Sequence, residues 1–486
     1  MRAAIYWMTI VCATAQFMPA VSSSADFHVR PANECTNDGD GTAAACAASP
    51  GAAGAFNGFA SIDWSAIHPG DSLYVIGEHH TGLVVGNSGT AGRRITIRGD
   101  KAGAARGSID GGGAVSFCLA DNNHSYLSVL SLEVSHCLDR GLHFDNGRGV
   151  DTVLPGGAIV NNVFVHDIAG GSRYPTCIWG YGHDAIVDNS RVENCGDDGV
   201  WWTGNSVAVR NNSIAAVGIG PVETGDCIQL AGLSTQFNIS RNRCDHLAAN
   251  EKHCIVVSPP DGTVFDTTAG GRIEENTCFL PGYGGADTKG ITVAQPNVLI
   301  ARNFVNGGRI GIVANDPYIV GNVVTQFYYV GIVANGHPGW QALVANNTVV
   351  SVAGENGQVA PDFCMVGYET TGEFVNNIVA GCNVGMAGYG YTPNNVWDSN
   401  LSWQNSTTYR FGKPALNSIV NTLTSNPRFV GSDPRSSRAW SVVRAILGKD
   451  LSDYTEPNVG TPFVLDFLKN PRPTPPAVGA YEPGSR

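Results

Sequence analysis

Between about residues 125 and 400 the chain keeps returning to two short phrases, and this repetition limits the fold more than any other feature. The first phrase is an apolar pair, an Asn, and another apolar stretch: "IVNNVFV", "VRNNSI", "IEENTC", "IARNFV", "IVGNVV", "VANNTVV", "FVNNIV". The second starts with Gly or Cys and continues with alternating apolar residues: "GLHFDN", "CIWGYG", "GVWWTG", "CIQLAG", "CIVVSP", "GITVAQ", "GIVANG", "CMVGYE". One unit spans roughly 20–35 residues, a period that marks a solenoid. The runs are short, alternate with period two and show no helical periodicity, so each unit reads as one coil of strands. One such coil cannot bury its own apolar face, so coils stack and share a core. Asn recurring at one place in each coil predicts a ladder of stacked amides. The fold class is therefore all-β: a single-stranded parallel β-helix, or β-solenoid, with N-terminal and C-terminal caps.

The expected organisation follows. Residues 1–25 read as a secretory signal peptide, with a positive start, an apolar stretch and small residues before Asp26. Residues 26–75 form an N-terminal cap and first coil, 76–404 the parallel β-helix, and 405–486 a Pro-richer C-terminal cap that shields the open end. Secretion, periplasmic or extracellular, places the cysteines in an oxidising compartment. Cys35 and Cys46 flank a small loop and are expected to pair. Several others fall at repeating positions, where stacked free thiols are an alternative. The formal net charge of −12 argues against a nucleic-acid partner. No stretch of the mature chain is long and apolar enough to span a membrane.

Aligning the second phrases predicts side-chain directions. Leu142, Ile178, Val200 and Ile228 point inward, His143, Trp179, Trp201 and Gln229 outward, and Phe144, Trp202 and Leu230 inward again. The position just before Gly or Cys then forms a column: Arg140, Thr176, Asp198, Asp226, His253, Lys289. One residue earlier lie Asp197 and Lys252. Later coils carry Ile310, Val330, Phe363 and Val384 in the same column, so polarity is confined to one stretch. Asp197, Asp198, Asp226, His253 and Lys289 are the candidate catalytic residues. Arg140, His143, Trp179, Trp201, Gln229 and Lys252 are the candidate substrate contacts. Aromatic faces suit the apolar faces of sugar rings, and cations suit an acidic glycan. Crowded carboxylates raise one another's pKa, which is how an acid and a base are paired to cleave a glycosidic bond.

"PGDSLYV" near the start and "NPRPTPPAVGAYEP" near the end resemble the opening and closing phrases of secreted right-handed parallel β-helix proteins of the pectin lyase-like superfamily. Within it, the Asp197-Asp198 pair, Asp226, His253 and Lys289 resemble the polygalacturonase pattern, although the single Asp follows the pair here. The resemblance implies the right hand of the parallel β-helix and a carbohydrate-active enzyme on a polysaccharide or oligosaccharide, uronate-containing where its basic residues meet carboxylates. Hydrolysis by paired Asp residues, without a cofactor, is the first reading. The second is β-elimination by a polysaccharide lyase, with Asp197, Asp198 and Asp226 holding Ca²⁺ and Lys252 or Lys289 as base. The third is a non-enzymatic surface, adhesin or glycan-binding solenoid, which predicts scattered acids and no groove.

Overall fold

The structure is a computed structural model. It describes residues 24–482 except 100–105, 146–155, 172–173, 220–224, 233, 246–252, 259–269, 281–287, 337–340, 352–359, 391–393, 413–416, 431–435, 438–447, 452–464 and 474–475. The signal-peptide reading falls on residues 1–25, of which 1–23 lie outside the described residues.

Each coil contributes one strand to each of three parallel sheets, of 16, 14 and 13 strands. This is the right-handed parallel β-helix read from the repeats and the resemblance. Within a coil the chain runs from the 16-stranded to the 14-stranded sheet, then to the 13-stranded sheet, as in Leu127–Leu130, Glu133–Ser135 and Arg140–Asp145. The second sequence phrases all lie in the 13-stranded sheet, hereafter the site sheet. One continuous apolar core runs the length of the rod, from Phe27 to Trp397. Trp202 is fully buried. It fits because the facing residue one coil earlier is Gly180, where a Cβ would come within 2.5 Å of the indole.

The turn from the 16-stranded to the 14-stranded sheet has two residues. Its first residue takes a left-handed conformation, as at Asn211, Arg241, Glu275 and Arg302. Its second points inward and builds the ladder Asn212, Asn242, Asn276, Asn303, Asn322, Asn347, Asn377 and Asn400. In each step the backbone N–H and Nδ2 of one Asn both donate to Oδ1 of the next; from Asn303 to Asn322 these bonds are 2.9 and 3.0 Å. Nδ2 of Asn303 also donates to the carbonyl of Ile273 at 2.8 Å. The amide thus replaces the ladder bonds that a tight turn removes from the backbone.

Five disulfides are present: Cys35–Cys46, Cys118–Cys137, Cys177–Cys195, Cys254–Cys278 and Cys364–Cys382. The pairing of Cys35 with Cys46 is as expected. The other four replace stacked free thiols with bridges between successive coils, each joining a strand of the site sheet to the 14-stranded-sheet strand of the next coil or the turn after it.

The C-terminal residues behave differently from the predicted cap. Strands continue past residue 404 in all three sheets, at Thr407–Phe411, Asn417–Ile419 and Thr422–Leu423. The described residues from 448 to 482 then fold back along the side of the rod. Ala480 and Tyr481 cover Phe304, Val323, Val350 and Ala380 on the outer face of the 14-stranded sheet. Leu451 covers Leu299, Val320 and Leu343 on the 16-stranded sheet. Arg472, almost fully buried, pairs with Glu482 at 2.8 Å. Outer faces that are apolar on both sheets explain the return: leaving them in water would cost more than a solvated end.

Asn303→Ala leaves several buried donors and acceptors without partners, and should cost about 3 kcal/mol at roughly 1–3 kcal/mol per orphaned group, read as a lower unfolding midpoint in urea. A second expectation concerns Asp121, which lies at the end of Phe117–Ala120. Burial pushes its pKa from 3.8 to about 7. A group raised in the folded state gives stability that is full below its unfolded pKa and is lost as pH rises through the folded value. Asp121→Asn does not titrate, so its melting temperature relative to the unsubstituted protein should rise between pH 4 and pH 8.

Candidate functional site

The register of the site sheet brings the polar residues into one line. Arg140 lies opposite Thr176. Val200 lies between Ile178 and Ile228, which sets Asp198 between Thr176 and Asp226. Asp226 lies opposite His253, and His253 opposite Lys289. Beyond Lys289 the column becomes Ile310, Val330, Phe363 and Val384, as the phrases predict. Lys252 falls outside the described residues.

A cavity of about 440 Å³ opens over this column. It is lined by Arg140, Tyr174, Thr176, Trp179, Tyr181, Asp197, Asp198, Trp201, Asp226, Gln229 and His253. Eight of these are candidate site residues of the sequence pattern, and Thr176 is a ninth that the aligned column contains. Tyr174 and Tyr181 are not in that pattern. Tyr181 lies two residues beyond Trp179 on the same outward face, so alternation alone would have found it. Tyr174 precedes its strand, in a segment whose path the repeat does not specify. Lys289 stands one coil beyond His253 and does not line the cavity.

The three carboxylates are nearly buried: Asp198 is 4% exposed, Asp197 6% and Asp226 9%. The Asp226 backbone N–H donates to Asp198 Oδ1 at 2.9 Å. His253 Nδ1 lies 2.9 Å from Asp226 Oδ1. Protonated at Nδ1, the imidazole donates to that carboxylate, which fixes the orientation of both groups. Burial raises the Asp198 pKa well above the usual carboxylate range, and the charges of Asp197 and Asp226 raise it further. The Asp226 N–H and the Arg140 guanidinium oppose the shift but are outweighed. Asp198 is thus the carboxyl group of the three whose neutral form is most favoured, with Oδ1 already accepting a hydrogen bond.

The aromatic residues are arranged differently from the simple platforms expected. Phe117, His143, Trp179 and Trp201 form a stack, with ring centroids 4.2, 4.6 and 5.3 Å apart in succession. Coil spacing of about 4.8 Å forces rings in one column to lie on each other. Both faces of Trp179 are therefore covered, by His143 and by Trp201, and only 7% of it is exposed. Tyr181 packs edge-on to Trp179 and Trp201. His143 and Trp179 form a wall, and the part-exposed Trp201, opposite Gln229 in the next coil, is the ring that ends the stack at the carboxylates. Arg140 donates to the carbonyls of Asp139 and Tyr174, and its guanidinium lies 5.5 Å from the Trp179 ring centroid. That contact holds a cation at the cavity edge.

Among the described residues, three potential ligand atoms come within 4.8 Å of one another only at Glu78, His80 and Asp110, away from this cavity on the 14-stranded sheet side. Asp197, Asp198 and Asp226 are not gathered that closely.

No family model matches the chain, and no curated protein sequence matches it. Among solved structures, the complex of XylC with xylose is similar over 94% of this chain and 98% of its own, with a TM-score of 0.52 and 9% identity. A PL6 alginate lyase complexed with a trisaccharide covers 83% of this chain and 91% of its own, with a TM-score of 0.46 and 11% identity. The PL6 family polysaccharide lyase Pedsa3628 from Pseudopedobacter saltans covers 78% and 96%, with a TM-score of 0.45 and 15% identity. The chain has a right-handed parallel β-helix fold. At these identities the likeness concerns fold, and the chemistry must come from the cavity itself.

The raised Asp198 pKa has a direct signature. Above the pH at which ordinary carboxylates ionise, the infrared spectrum should still contain the carbonyl stretch of a protonated carboxylic acid, and that band should be missing in Asp198→Asn. An unchanged difference spectrum would show the group ionised.

Proposed function

We propose that the cavity hydrolyses glycosidic bonds of an extracellular, uronate-containing polysaccharide or oligosaccharide. The observation that carries this reading is the buried Asp198, gathered with Asp197 and Asp226 in a cavity closed on one side by Trp201. One carboxyl group that gives a proton and one that takes a proton are what acid–base cleavage of an acetal needs.

In this mechanism the sugar chain crosses the site sheet with one ring against the remaining face of Trp201 and the side chain of Gln229. Asp198 gives its proton to the leaving glycosidic oxygen. Asp226, oriented by the imidazole of His253, removes a proton from the water that attacks the anomeric carbon. Asp197 acts mainly through its charge, which holds the proton on Asp198 until the bond breaks. Arg140 at the cavity edge and Lys289 one coil beyond His253 meet carboxylates of an acidic glycan. Lys252 belongs to the same group by sequence position alone. No cofactor enters the reaction. No step is routed through a metal, and β-elimination with Asp197, Asp198 and Asp226 as Ca²⁺ ligands is the alternative that the assay below separates. The gathered acids and the cavity oppose a purely adhesive solenoid. The disulfides accord with export after removal of residues 1–25, and among the described residues no helix is long and apolar enough to cross a membrane.

The test is a panel of uronate-containing and neutral glycans, followed for reducing ends and for absorbance of unsaturated products, with and without EDTA. Reducing ends without absorbance, unaffected by EDTA, are expected; unsaturated, EDTA-sensitive product would overturn hydrolysis. Asp198→Asn should lower kcat about 10²–10⁴-fold, the range for losing a general acid. Because Asp198 must carry its proton, activity should fall as pH rises through its raised pKa. Asp197→Asn removes a like charge, lowers that pKa and should move the fall to lower pH.

A further inference from the structure

The second sequence phrase always starts with Gly or Cys, and the structure gives the reason. The successive first residues are Cys118, Gly141, Cys177, Gly199, Cys227, Cys254, Gly290, Gly311, Gly331, Cys364 and Gly385. At this position the site sheet comes so close to the 14-stranded sheet that an ordinary side chain does not fit. A Cβ on Gly141 would lie 2.4 Å from Val165 Cγ1, on Gly199 2.7 Å from Ile214 Cγ2, on Gly290 2.4 Å from Val305 Cγ1, and on Gly331 2.3 Å from Val349 Cγ1. Two solutions are compatible with such an approach. The residue has no side chain, or its side chain is covalently joined to the group it faces, since a bonded S–S contact of about 2 Å is far shorter than a non-bonded one. Cys118, Cys177, Cys254 and Cys364 take the second solution, each in a disulfide.

Cys227 is the one Cys of this column outside the five disulfides, and Cys244 is likewise outside them; both are buried. Their register identifies each as the other's opposite. Ile228 pairs with Ile255, which sets Cys227 beside Cys254. Cys244 pairs directly with Cys278. The two residues therefore repeat, one coil earlier, the places of the Cys254–Cys278 bridge. On the other side, Ile214 pairs with Cys244, and Ile214 is the residue that faces Gly199 in the preceding coil. The Gly199–Ile214, Cys227–Cys244, Cys254–Cys278 and Gly290–Val305 positions form one series across the core.

We propose that Cys227 and Cys244 are a sixth disulfide site, cross-linking the strand that carries Asp226 to the opposite sheet. Formation is thiol–disulfide exchange with an oxidised dithiol oxidoreductase or a small-molecule disulfide. Two S–H bonds break and one S–S bond forms, and the two protons and two electrons pass to the reagent, which leaves as two thiols. The bridge ties Asp226, the residue next to Cys227, into the core. Its N–H is the donor to Asp198 and its carboxylate is the partner of His253. The cross-link itself does not depend on the proposed reaction.

The experiment is a peptide map of the full chain, expressed with export to an oxidising compartment, denatured and alkylated with iodoacetamide without prior reduction. A linked pair of peptides containing Cys227 and Cys244 is expected, with neither residue alkylated. Alkylation of both while the other ten cysteines outside residues 1–23 stay bridged would overturn the proposal. A second measurement uses the double variant Cys227→Gly, Cys244→Val, which reproduces the Gly290–Val305 pair and so fits the column without a bond. It should fold with the same circular dichroism spectrum and melt at a lower temperature. An unchanged or higher melting temperature would count against a bridge in the native protein.

Discussion

Everything in the molecule depends on vertical registration: each strand hydrogen-bonds to the strand one coil away, and all three sheets hold the same residue order against each other for the length of the rod. A one-residue slip in a strand would turn its core side chains outward. The eight-residue Asn ladder prevents such a slip, because each amide must meet the next at hydrogen-bond distance. Asp198, Asp226 and His253 are 28 and 27 residues apart in sequence, yet this registration makes them neighbours. The site is built from the same repetition that builds the core, with polar residues replacing apolar ones over a few coils.

Much of this was legible because a stacked fold converts sequence phrases into spatial columns. The direction of Trp202 into the core, the outward line from Arg140 to Lys289, and its change to Ile310 and Val330 all follow from period-two alternation and one alignment. What was not legible depends on rotamers and on side-to-side packing. The face-to-face stacking of His143, Trp179 and Trp201 follows from ring orientation, so two of the expected sugar platforms became a wall. The bond between His253 and Asp226 likewise needs a particular rotamer on each side. Disulfide partners lie in a different phrase from the Gly/Cys position, and only the distance across the core reveals which residues face each other.

The electrostatics of the site also come from the scaffold. A carboxyl group on the surface of a sheet would ionise freely. Asp198 is pushed away from ionising, because it is buried almost without water while two more acids in the same patch discourage a further negative charge. The apolar wall of stacked rings lowers the local dielectric and strengthens each of these effects.

The C-terminal segment works as a side rail. Its final described residues are fastened to rungs far from the end of the rod: Ala480 N–H donates to Thr348 Oγ1 at 2.9 Å, and Gly479 N–H to the carbonyl of Asn376 at 2.7 Å. During synthesis the middle coils emerge long before this rail exists. Until this rail emerges, the oily outer flanks around Phe304 and Val323 stay bare, and the nascent rod must be kept from joining another rod side by side. That seam closes after the coils it covers, in the middle of the molecule rather than at its tip.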